Sequence, residues 1–233
     1  MRAIWVGLTL WVGAGCSLEG CARLGDASTS LCPARVDANP GDAVDRMREA
    51  ILTSLQLRPG LVVGDIGTGG GWFTTRIAKA VGKTGKVYGT DLDAKTLEDL
   101  RQAPSLGDDA ATMRFTLVPG ERETGLDDLP DNSLDLILMI DSLCFDQRQP
   151  NATNVAYLRK FLRLLKPGGR LVHHMDCTCE TTVEQTESLF ASAGFVMPKR
   201  RTQLTCAELS PQACPTAEAQ TRTRFVGTFL KAP

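Results

Sequence analysis

The sequence predicts a doubly wound α/β domain, and three observations carry that expectation. Leu61 to Ile66 is a short, β-rich apolar run, followed at once by Gly67, Gly69, Gly70 and Gly71. Trp72 to Val81 then has helical apolar spacing at Phe73, Ile77, Ala78 and Val81, and Lys86 to Asp91 reads as a second strand ending on an acid. Strand and helix patterns go on alternating through most of the remaining chain.

Strand, glycine loop and helix open a nucleotide-binding domain, because glycine permits a tight turn and lets backbone approach a ligand with no Cβ between them. A dinucleotide fingerprint needs Gly-x-Gly-x-x-Gly. Counted from Gly67 its third glycine falls on Trp72, and counted from Gly69 it falls on Thr74, so both registers fail. This weighs against an NAD-linked oxidoreductase. The chain also lacks the Gly-x-x-x-x-Gly-Lys-Ser/Thr of a P-loop. What stands here is Asp65-Ile66-Gly67-Thr68-Gly69-Gly70-Gly71, which resembles motif I of the class I S-adenosylmethionine-dependent methyltransferases. Asp91 lies where an acid can accept hydrogen bonds from both ribose hydroxyls of an adenosine. Asp93 is the alternative acid and reads better as the N-cap of a helix over Ala94 to Ala103.

Ahead of the loop, Val44, Met47, Ile51, Leu52 and Leu55 recur at helical spacing, and Leu57-Arg58-Pro59-Gly60 leads into the first strand. The resemblance implies that this helix packs beside the cofactor site. Met113 to Val118 reads as the third strand, with Gly120-Glu121-Arg122-Glu123 at its carboxyl end. There the resemblance implies an acid for the adenine amino group; Glu121 and Glu123 both qualify, and the spacing to Leu129-Pro130 favours Glu123. After the turn Asp131-Asn132-Ser133, Leu134 to Ile140 is an apolar strand and Asp141 stands at its end, where the resemblance places the transferred methyl. Many relatives carry a histidine a few residues later, and Ser142-Leu143-Cys144-Phe145-Asp146 has none.

Val155, Leu158, Leu162 and Leu165 form one helix face, with Arg159, Lys160, Arg163 and Lys166 on a solvated one. Leu165-Lys166-Pro167-Gly168-Gly169 resembles the late motif of the same family, and Pro167 should stop the helix there. In the next strand, alternation puts His173, Met175, Cys177 and Cys179 on one side and His174 and Asp176 on the other. This spacing matches no zinc motif, so no metal is expected; His174 or Asp176 is a candidate base. Thr182 to Ala193 fits a helix stopped by Gly194. Lys199 to Leu204 and Thr223 to Leu230 read as the last two strands, with Cys206, Pro211, Cys214 and Pro215 between them.

At 233 residues the chain suits one domain with a substantial core. Its 26 basic and 27 acidic residues give a net charge of −1, without the basic excess of a dedicated nucleic-acid binder, and no nucleic-acid partner is expected. Residues 1–21 read as a signal-like apolar segment: Arg2, then Ile4 to Gly15, too short for a membrane span. Cys16 or Cys21 is a candidate lipid anchor; Leu18 and Gly20 suit Cys21, and Gly13-Ala14-Gly15 lacks the aliphatic residue expected before Cys16. The alternative is translation starting near Met47. Residues 22–41 read as a linker and 42–233 as the methyltransferase-like domain. Eight cysteines suit an oxidising compartment, and Cys206 and Cys214 flank a loop across which they can pair. These features place the protein outside the cytoplasm, on the periplasmic side, if the signal is real, and in the cytoplasm otherwise. S-adenosylmethionine is made in the cytoplasm, so export and activity pull against each other.

The resemblance spans residues 45 to 197 or so and implies a Rossmann-like, seven-stranded sheet with an antiparallel last strand in an αβα sandwich. It implies methyl transfer from S-adenosylmethionine to a small-molecule or protein acceptor. The cofactor residues would be Asp65, Gly67, Gly69, Gly71, Asp91, Glu121, Glu123 and Asp141, with Asp141, His174 and Asp176 as catalytic candidates. Alignment of the reactants is expected to supply most of the rate, with a base needed only if the acceptor must lose a proton. A catalytically silent envelope lipoprotein that keeps the fold is the other reading. The N-terminus and missing histidine favour it; the intact loop and Asp91 oppose it.

Overall fold

Side chains that alternate along each strand decide how the sheet is covered. The computed structural model describes residues 40–104, 110–120, 122–142, 145, 151–175, 183–197 and 225–233. In chain order these form α1 (Pro40–Ser54), β1 (Val62–Ile66), α2 (Trp72–Val81), β2 (Lys86–Asp91), α3 (Ala94–Gln102) and β3 (Thr112–Leu117). The second half adds β4 (Leu134–Ile140), α4 (Asn151–Leu164), β5 (Leu165–Met175), α5 (Val183–Ala193) and β6 (Phe225–Leu230). The sheet runs β3-β2-β1-β4-β5-β6, parallel except for β6 against β5.

Leu136 and Leu138 point to one face, where Met47 and Ile51 of α1, Leu55 just after it, and Ile77, Ala78 and Val81 of α2 close over them. Ile137 and Met139 point to the other, against Leu158, Phe161 and Leu164 of α4 and Leu189 and Phe190 of α5. These opposed cores make the expected three-layer αβα sandwich. Six strands lie among the described residues. The seventh, expected over Lys199 to Leu204, falls outside them, as do residues 1–39 and every cysteine.

Two boundaries differ from expectation. Helix α1 begins at Pro40, inside the segment read as a linker. Pro167 does not cap a helix: α4 stops at Leu164, and Leu165 to Gly169 already belong to β5. A register shift between Leu134 and Leu136 absorbs the proline and glycines, and Gly168, at φ 74°, donates its N–H to the Lys231 carbonyl at 3.1 Å. Next in β5, Arg170 ties down the end of α1, its guanidinium donating to the carbonyl of Leu55 just after the helix. The Arg76 guanidinium stacks 3.8 Å from the Trp72 ring centre and Arg48 of α1 lies at 5.5 Å, joining α1 to α2.

Phe190 concentrates the second core. It is fully buried, stacks on Phe229 of β6 at 3.6 Å, and meets Phe195 and Phe145 edge-on at 5.3 and 5.6 Å. Phe190→Ala should lower stability by about 3–5 kcal/mol, the usual loss for a buried aromatic truncated to alanine. Urea unfolding checks this, and a loss under about 1 kcal/mol would mean that α5 and β6 do not share this core.

Candidate functional site

β1 pairs with β2 on one side and β4 on the other, so the crevice beyond its carboxyl end lies at the switch point of the sheet, where open α/β folds take ligands. Residues 67–71 fill that crevice mouth. The Thr90 carbonyl at the end of β2 accepts the N–H groups of Gly67 at 2.8 Å and Thr68 at 3.0 Å. The Asp91 carboxylate accepts Gly69 N–H at 2.9 Å on one oxygen and Asp93 N–H at 3.0 Å on the other. Gly67 has φ 75°, and a Cβ there would lie 2.3 Å from the Ser142 Cβ, so only glycine lets the loop pass the end of β4. A Cβ on Gly70 would meet nothing within 4 Å, so the crown of the loop is open.

Asp91 keeps unused lone pairs on both oxygens, as a partner for two hydroxyls requires. Asp93 is committed elsewhere: it caps α3, accepting Lys95 N–H at 3.0 Å and Thr96 N–H at 3.3 Å. Beside Asp91, Leu92 is 54 % and Leu117 48 % exposed, an uncovered apolar pair at the ends of β2 and β3 suited to a flat ring. Glycine loop, paired acid and apolar flank together fit the adenosine and methionine parts of S-adenosylmethionine. Sequence reasoning missed Thr68, Thr74, Ser142, Leu92 and Leu117. Thr68 at least was marked by its place inside the glycine run.

Asp65 sits beneath the loop, 3 % exposed, and accepts the Thr74 hydroxyl at 2.5 Å. Burial pushes its carboxyl up to about 7; the Thr74 hydrogen bond opposes this and the Asp91 charge adds to it. Glu123 forms an ion pair with Lys160 of α4 at 2.8 Å. Glu121 and Asp176 lie outside the described residues. Asp141, at φ 51° directly after β4, meets His174 of β5: its Oδ1 lies 2.6 Å from Nδ1. His173 points to the opposite face, as alternation predicts, and donates Nδ1–H to the Met139 carbonyl at 3.2 Å beside Phe145 and Phe190. Burial pushes its imidazole down to about 4, with neighbouring His174 adding, so it is neutral packing. Among the described residues no cluster of three metal-ligating side chains occurs and no helix is long and apolar enough to cross a membrane.

The Asp65 shift has a direction in stability. Its carboxyl ionises near the ordinary aspartate value of 3.8 when unfolded and near 7 when folded, so folding takes up a proton between those values. Stability therefore falls as pH rises through that window and is level above it, a loss on the order of 4 kcal/mol at 1.36 kcal/mol per unit. Asp65→Asn should flatten the slope between pH 4 and 7, read by urea unfolding of both proteins. An unchanged slope would remove Asp65 as its source.

A family sequence model described as a methyltransferase domain matches residues 63–169. The chain is 34 % identical over 117 residues to a ubiquinone/menaquinone biosynthesis C-methyltransferase, UbiE, of Hydrogenovibrio crunogenus, covering 50 % of this chain and 42 % of that protein. It thus spans less than half the length of the curated relatives it matches, at 42–45 %. In structure it resembles the [4+2]-cyclase SpnF at TM-score 0.60 and 16 % identity, covering 92 % of this chain and 91 % of that one. An S-adenosylmethionine-dependent methyltransferase from Aquifex aeolicus aligns at TM-score 0.51 and 20 % identity, over 79 % and 89 % of the two chains. These structural likenesses establish the αβα fold, and the stretch that matches a methyltransferase domain, residues 63–169, takes in the glycine loop, Asp91 and β2 to β4.

Proposed function

We propose that the protein binds S-adenosylmethionine and transfers its methyl group to an acceptor. The observation that carries this reading is the clasp between Asp91 and the loop, which sets a ribose acceptor and an open glycine crown at one mouth. The bound donor supplies an electrophilic methyl on a sulfonium. The chain's own work is to hold it: Gly67 to Gly71 cradle the methionine portion, Asp91 takes the ribose hydroxyls, and Leu92 and Leu117 flank the adenine. Asp65, buried beneath the loop with its carboxyl raised to about 7, would answer the methionine ammonium on this reading. Orientation of the reactants is the largest contribution such a scaffold makes. The acceptor named for the UbiE relatives is not carried over, since the match leaves more than half of their length unaccounted for. A second reading has support in SpnF, whose description as a cyclase shows that this fold also serves chemistry other than methyl transfer.

Asp91→Ala should weaken binding of S-adenosylmethionine and its demethylated product by about 1.5–3 kcal/mol, the range for hydrogen bonds to a charged group. Calorimetric titration reads it, with circular dichroism to show an intact fold. Unchanged affinity would remove Asp91 from the site.

For location, the reading rests on sequence: a basic flank and short apolar run within residues 1–21, and Cys16 or Cys21 as acylation site. On that reading the protein is exported and held at the membrane by lipid. A reporter active only outside the cytoplasm should work when fused after residue 30, and should fall silent when residues 1–21 are deleted. Retention of the full chain in the cytoplasm with its leader uncleaved would reverse this.

A further inference from the structure

The geometry points to Asp141 and His174 as a base pair for the acceptor: Asp141 orients the ring and His174 Nε2 receives a proton that the acceptor gives up on methylation. The inference rests on the methyl-transfer reading above and adds a substrate class to it, acceptors whose nucleophilic atom is protonated, such as phenolic hydroxyls.

The pair joins two strand ends. Ile140 and His174 are opposite each other in the β4–β5 register, and Asp141 follows at the carboxyl edge of the sheet. Ser142, the next residue, packs against Gly67, so the pair stands two residues from the glycine loop. Asp141 Oδ1 and His174 Nδ1 are 2.6 Å apart. A carboxylate only accepts, so the ring proton lies on Nδ1 and Nε2 carries the lone pair. This is the orientation by which a buried aspartate readies a histidine as general base. His174 is 1 % exposed, and its Nε2 has no hydrogen-bond partner among the described residues. Buried ring nitrogens are ordinarily paired; His173 Nε2 is bare as well, but only His174 has its other ring nitrogen on a carboxylate at the carboxyl edge of the sheet. His173 differs: its Nδ1 bonds a strand carbonyl and its ring lies among phenylalanines, away from the loop.

The chemistry balances with the donor alone. S-adenosylmethionine gives its methyl with the carbon–sulfur bond electrons left on sulfur. His174 Nε2 takes the acceptor's proton, and the freed electron pair of the acceptor bonds to the methyl carbon. Asp141 stays ionised and steadies the imidazolium. His174 is the catalytic base and Asp141 the positioning residue. The histidine absent from the stretch after Asp141 is thus supplied by the neighbouring strand.

The chain has only two histidines, so long-range ¹H–¹⁵N spectra of ¹⁵N-histidine-labelled full-length protein can be assigned with His173→Ala and His174→Ala. The wild type, with and without S-adenosylhomocysteine, should show His174 protonated at Nδ1 and bare at Nε2. Asp141→Asn should fold, since asparagine tolerates positive φ, but its amide donates to Nδ1 and should move the proton to Nε2. A labelled-methyl assay then compares catechol with dimethyl sulfide, an acceptor with no proton to lose. Transfer to catechol should fall by about 10²–10⁴-fold in His174→Ala, return in part with added imidazole, and leave S-adenosylhomocysteine affinity unchanged. A protonated Nε2 in the wild type, or an Asp141→Asn spectrum like wild type, overturns the pairing. Wild-type turnover in His174→Ala, or transfer to dimethyl sulfide in preference to catechol, overturns the base. Failure of the wild type to bind S-adenosylhomocysteine defeats the methyl-transfer reading instead, and the tautomer still decides the pair if neither probe is turned over.

Discussion

The carbonyl of Thr90 and the carboxylate of Asp91 hold three successive N–H groups of the loop, those of Gly67, Thr68 and Gly69, within 2.8–3.0 Å. This fastening sets everything above the sheet. Backbone donors that would otherwise be unpaired near a dry core are satisfied by the next strand, and the loop is set close enough to β4 that no side chain fits between Gly67 and Ser142. With the loop fixed, α2 starts at a defined height, and Asp141 leaves β4 where it can turn toward β5.

Two carboxylates share this small volume, and their surroundings divide the work. Asp91 has backbone donors on both oxygens and a side open to ligand. Asp65 has one hydroxyl and is otherwise enclosed, so its charge is held back by burial and by Asp91 itself. A cationic group arriving above the loop would relieve both disfavours together. On the function proposed above, a cationic ligand group near Asp65 would favour its ionised form and so release a proton.

The fold was legible because its elements are local. β1 and β4 are short apolar runs buried on both faces, as the central strands of a covered parallel sheet are, β2 is a short run ending on an acid, and α2 and α3 have bounds set by Gly71, Asp93 and the spacing of Ile77, Val81 and Leu97. Asp93 as a cap rather than a ligand was readable from its place before Ala94. What escaped was long-range. The Asp141–His174 contact links residues 33 apart in sequence, and Glu123 meets Lys160 across 37. Neither periodicity nor motif spacing encodes such meetings; strand order and register create them. Pro167 misled for a related reason: a proline that ends helices in general here sits in a strand whose partner shifts register to admit it.

Trp72 is the first residue of α2, directly after Gly71, with the Arg76 guanidinium over its ring. The other two tryptophans of the chain, Trp5 and Trp11, lie in the leader-like segment. In a form of the chain lacking residues 1–21, indole emission would come from Trp72 alone, at the rim of the glycine loop with the Arg76 guanidinium over its ring. The molecule therefore carries its own optical gauge of loop geometry, readable without any label.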